Sequence, residues 1–119
     1  MTTFDHNGSH FRLYKFMAEC PAYRALTTAE RVLLSELGLA FNGVNNGAIP
    51  MSVRDAARQC NIAPGTASAA FDRLRQTGFV DCMNRDRGFH LKTPHTSLWR
   101  LTWWSCNVTG TAPSYRFLK

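Results

Sequence analysis

One segment constrains the fold more than any other: SVRDAARQCNIAPGTASAAFDRLRQTGF, residues 52–79. Two helical patterns stand there with only about four residues between them, so the first helix must approach closely and brace the second. Ser52 is placed to cap the first, with Asp55 in its first turn to complement the helix dipole. That helix, 53–60, turns Val53, Ala56, Ala57 and Cys60 one way and Arg54, Asp55, Arg58 and Gln59 the other. Its small apolar face suits close approach by a neighbour. Asn61 suits the left-handed conformation that closes a helix, Ile62 a buried plug, and Pro64 the first turn of the next helix. The second helix is expected over 64–77, with Ala67, Ala70, Phe71 and Leu74 inward and Gly78 as its C-terminal cap. Thr66, Ser68, Ala69, Asp72, Arg73, Arg75 and Gln76 then lie outward or at its flanks.

The flanking sequence adds a helix before this pair and strands around it. A short helical turn is expected over 21–26, and TTAE at 27–30 has the spacing of a capping box in which Thr27 caps and Glu30 reaches back. Val32, Leu33, Leu37 and Phe41 follow at helical spacing, with Leu34 and Leu39 widening the apolar face, until Asn42, Gly43 and the Asn45-Asn46-Gly47 run end the helix. Residues 48–51 read as a brief extended segment stopped near Pro50. Residues 79–83 read as a strand, 84–88 as a charged turn, 89–91 as a return strand or loop, and 98–104 as a strand rich in Trp and Thr. Adjacent Trp103 and Trp104 would face opposite sides of that strand, one of them at a dimer contact.

At 119 residues, with 45% hydrophobic and 18% charged side chains, the chain is composed to close one modest core. The expected division is an arm over 1–20, one domain over 21–104 and a tail over 105–119. No apolar run approaches the roughly 20 residues of a membrane span, and the N-terminus lacks the layout of a secretory signal, which leads to the expectation of a cytoplasmic protein. Cys20, Cys60, Cys82 and Cys106 are widely spaced without a CxxC pair, so they read as reduced, mostly buried small hydrophobes. Cys82 and Cys106 with His90 and His95 are the one conceivable metal set, their spacing matches no zinc pattern, and no metal or cofactor is expected.

Net charge is +6 and unevenly distributed. Residues 1–53 balance; residues 54–100 carry eight basic side chains against four acidic; Arg116 and Lys119 complete the excess. A basic excess confined to one part of a small domain, dominated by arginine, points to a polyanionic partner. Two short helices at a tight turn, the second bearing small polar side chains near its start, meet the requirements for entering a DNA major groove. The charged turn after the next strand is then a wing placed to track phosphate or the minor groove. Arg54, on the first helix of the pair, is a candidate phosphate contact. Catalytic constellations are missing: there is no nucleophile elbow, no phosphate-cradling glycine loop and no acidic cluster for two-metal chemistry.

Residues 22–102 resemble the winged helix-turn-helix proteins common on bacterial plasmids, phages and integrative elements. The likeness rests on YRAL followed by TTAERVLL, on NNGAIPMSVRDAARQCNIAPGTASAAFDRLRQTGFV, and on WRLT. The resemblance implies an α+β, mainly helical fold, a three-helix core with a small β-hairpin wing. It also implies binding of double-stranded DNA, by a transcriptional repressor or activator or by a replication or partition protein. By the same resemblance Gly65, Thr66, Ser68, Ala69 and Arg73 form the recognition face, and Arg85, Arg87 and Lys92 belong to the wing. A homodimer is expected because one such helix reads only a few base pairs. No small-molecule ligand is evident. Winged helices also serve as protein-interaction modules, which is the rival expectation.

Overall fold

A computed structural model describes residues 10–84 and 96–119. The architecture is α+β, with helices packed around a small antiparallel sheet. In chain order the helices are α1 (Lys15–Ala18), α2 (Pro21–Arg24), α3 (Thr28–Ala40), α4 (Val53–Cys60) and α5 (Pro64–Gln76). The strands are β1 (Ile49–Pro50), β2 (Val80–Cys82) and β3 (Leu98–Leu101), and a 3-10 turn, Arg116–Leu118, lies near the C-terminus. Among the described residues no helix is long and apolar enough to cross a membrane.

α3 begins where the capping box predicts. The Thr27 hydroxyl accepts from the Glu30 amide at 3.2 Å, and the Glu30 carboxylate accepts from the Thr27 amide at 2.9 Å. Its buried face is Leu33, Leu34, Leu37 and Gly38. Val32 and Leu39, expected on that face, are instead exposed. They are seven residues apart and therefore share one side of the helix, opposite the side defined by 33, 34, 37 and 38.

The sheet runs β1–β3–β2, antiparallel throughout, with Ile49 opposite Trp99 and Val80 opposite Leu101. Pro50, which has no amide to donate, sits on an edge strand where the ladder tolerates it. β3 is shorter than the sequence suggests: the chain leaves the sheet after Leu101. There the Thr102 hydroxyl donates to the Gly78 carbonyl at 2.8 Å, and the Thr102 carbonyl accepts from Ser114 and Tyr115. Trp103 and Trp104 therefore do not alternate along a strand; Trp103 is buried and Trp104 is half-exposed against Phe41 and Tyr14.

β1 covers only part of β3, and a side chain completes the rung it leaves open. The Asn46 carboxamide accepts from the Leu101 amide at 2.7 Å and donates to the Leu101 carbonyl at 2.9 Å, as a paired backbone residue would. The same nitrogen lies 3.0 Å from the Ser105 carbonyl and 3.2 Å from that of Trp104. Asn46 is fully buried, and its own amide donates to the Asn107 side chain.

One core unites all of these elements. Met17 and Cys20, from the segment expected as an arm, and Phe117, from the segment expected as a tail, lie in the same buried cluster as Leu33, Phe71 and Leu101. Phe79 stacks on Phe117 with ring centroids 4.6 Å apart. This return of the chain explains Gly78, where α5 ends at φ +91°. A Cβ there would lie within 3 Å of the Arg116 and Phe117 backbone, so neither the dihedral nor the space admits another residue.

Candidate nucleic-acid interface

α4 and α5 meet at the three-residue turn 61–63, and each feature of the turn is local chemistry. Ser52 and Asp55 form a reciprocal capping box that starts α4: the Ser52 hydroxyl accepts from the Asp55 amide at 3.0 Å, and the Asp55 carboxylate accepts from the Ser52 amide at 3.3 Å. The Ser52 backbone and side-chain hydrogen bonds, with Arg58 beside them, hold the Asp55 carboxyl below its usual range. Asn61 closes α4 in the left-handed conformation at φ 59°, ψ 50°, a region asparagine tolerates better than most residues. Ile62 then packs against the core, its amide bonded to the Ala57 carbonyl at 3.0 Å.

α5 is clamped on its inner side and bare on its outer side. Ala67, Ala70, Phe71 and Leu74 are buried, as the helical phase requires. Phe71 lies flat on Trp99, with centroids 4.4 Å apart and planes 3° from parallel. The Trp99 ring is itself fixed by donating to the Met51 carbonyl at 2.9 Å. Against α4, the small side chains of Ala56 and Ala57 are buried and permit close approach.

The outer side collects the sequence-predicted residues of this region. Gly65, Thr66, Ser68, Ala69 and Arg73 are all exposed on α5, and Arg54 is exposed on α4. No side chain caps the start of α5: its N-cap is Ala63, and Pro64 follows without an amide. The first-turn amides of Gly65 and Thr66 thus stand at an open helix end of partial positive charge. Gly65 has no atom within 4 Å of where a Cβ would stand.

The two helices carry four arginines against two aspartates, and the ion pairs sort them. Arg58 pairs with Asp55 at 3.0 Å, and Arg75 with Asp72 at 2.9 Å. Among the described residues no ion pair engages Arg54 or Arg73, so both guanidinium groups face solvent without a carboxylate. Arg75 is turned to the flank, with its side chain 26% exposed.

Elsewhere the basic excess is partly neutralised in a way that spacing did not reveal. Asp81 on β2 pairs with Arg100 on β3 at 3.6 Å and with Arg116 from the C-terminal segment. These arginines tie the C-terminal return to the sheet. A register of β2 and β3 would have placed Asp81 opposite Arg100, whereas Arg116 is brought in from far along the chain. Burial and the nearby Glu36 push the Cys60 thiol up, so it stays protonated at the end of α4.

Arg85, Arg87 and Lys92, expected on a wing, lie outside the described residues, as do His90 and His95. The two ends of that connection are described and are held together. Met83 donates to the Leu98 carbonyl at 2.7 Å, while the Asn84 side chain accepts from the Leu98 amide at 2.9 Å and donates to the Thr96 carbonyl at 3.1 Å. No family model, curated protein or solved structure matches this chain.

Proposed function

We propose that this chain is a sequence-specific double-stranded DNA-binding protein of winged helix-turn-helix type, a transcriptional regulator acting as a dimer. α5 enters the major groove, and the basic segment 85–92 serves as a wing on the backbone or minor groove. One observation carries the reading: α5 is rigidly mounted through the Phe71–Trp99 stack, while its outer face offers small polar side chains, an uncapped N-terminal turn and the carboxylate-free Arg73. Short side chains let a helix backbone approach base edges, and a bare guanidinium takes guanine or phosphate in two-point contact. Arg54, on the neighbouring helix, adds a phosphate contact.

The test is fluorescence anisotropy on random-sequence duplexes across a salt series, followed by selection of bound sequences. The expected result is an affinity that falls linearly on logarithmic axes as salt rises, by about 0.9 of a unit per neutralised phosphate, and a selected motif with two related half-sites. Absence of duplex affinity at low salt would overturn the reading in favour of a protein-interaction module.

A further inference from the structure

Away from the α4–α5 face, a cavity of about 560 Å³ lies where the end of α3 meets the N-terminal segment and the residues just after β3. Its size falls within the range of sites that hold small organic ligands. Phe11, Phe41 and Trp104 contribute aromatic walls. Trp104 keeps 37% of its surface exposed although Phe41 and Tyr14 pack against it at 5.7 and 6.0 Å.

The cavity has a shape constraint and a charge. Gly38 on α3 would drive a Cβ into the Phe11 ring, so its bare backbone lets that ring lie directly on the helix as a wall. Arg12 stands at the cavity, and among the described residues no acidic side chain lines it. Among the described residues Arg12 pairs with no carboxylate; its guanidinium reaches only the His10 ring at 3.4 Å and the Tyr14 ring face at 6.0 Å. Planar aromatic walls favour a flat ring, and an unneutralised guanidinium favours a carboxylate in two-point contact.

We infer that this cavity is a binding site for a small planar aromatic carboxylate, its ring against Trp104 and Phe41 and its carboxylate on Arg12. The inference is independent of DNA binding. Isothermal titration of the full chain with 2-naphthoate, 2-naphthamide and cyclohexanecarboxylate tests it. Saturable binding of one 2-naphthoate per chain is expected, with the uncharged amide and the non-aromatic acid each weaker by about tenfold or more. Arg12→Gln, a change at an exposed position, should bring 2-naphthoate down to the level of the amide without lowering the melting temperature. Trp104→Leu should bring it down to the level of the non-aromatic acid. No saturable binding, equal binding of acid and amide, or an Arg12→Gln chain that still prefers the acid would overturn the assignment.

Discussion

Replacing Asn46 should damage this protein about as much as truncating a large apolar core residue. Its carboxamide stands in for a missing strand residue, serving the Leu101 amide and carbonyl at 2.7 and 2.9 Å within a fully buried site. A carboxamide nitrogen has two protons, so at full strength it satisfies two of the three carbonyls around it. In Asn46→Ala the Leu101 amide and at least one carbonyl lose their partner. At about 1–3 kcal/mol for each orphaned buried group, the loss is about 2–6 kcal/mol. Total stability for a domain of this kind is about 5–15 kcal/mol, so the variant should be partly unfolded or melt far below the parent. Urea unfolding followed by circular dichroism measures the difference. Asn46→Asp separates hydrogen bonding from packing, because it preserves shape while setting an acceptor against the Leu101, Ser105 and Trp104 carbonyls. Those carbonyls should raise the pKa of the introduced acid, so Asn46→Asp should be least stable at neutral pH and recover as acid protonates it. An Asn46→Asp chain as stable as the parent at neutral pH would refute the hydrogen-bonding argument.

Five further outcomes follow from the same geometry. Phe71→Ala removes the ring stacked on Trp99 and should cost about 3–5 kcal/mol in chemical denaturation. Gly78→Ala forces a Cβ against the Arg116 and Phe117 backbone at positive φ, and should lose at least about 1–2 kcal/mol in the same assay. Ser52→Ala should cost about 1 kcal/mol through loss of the α4 cap. Because the Asp55 pKa is lowered on folding, its contribution is present above the unfolded value near 3.8 and disappears as pH falls through the lower folded value. Asp55→Asn should therefore flatten the acid limb of a stability–pH curve. Arg73→Ala should leave the melting temperature unchanged while weakening the preferred duplex by about 1–3 kcal/mol and relaxing selection at particular base positions; equal loss on all sequences would reassign Arg73 to phosphate.

Local chemistry in the sequence determined the elements of the central segment. The boxes at Thr27–Glu30 and Ser52–Asp55, the left-handed Asn61, Pro64 at the start of α5 and Gly78 at its end are interactions within a few residues, and each is readable from spacing. The inward stripe of α5 follows from helical period alone. Only the tertiary structure decided which α3 face is buried, because Val32 and Leu39 are as apolar as Leu33 and Leu37 and differ only in what packs beside them. It also decided the end of β3, the turn that buries Trp103, and the pairing of Asp81 with Arg116. Asn46 shows the limit most plainly. Within the Asn45-Asn46-Gly47 run it is indistinguishable from a turn residue, and it becomes a buried surrogate strand because a sheet edge more than fifty residues further along the chain presents an unpaired amide and carbonyl to it. A hydrogen bond of that separation depends on the whole fold closing first, and no local pattern encodes it.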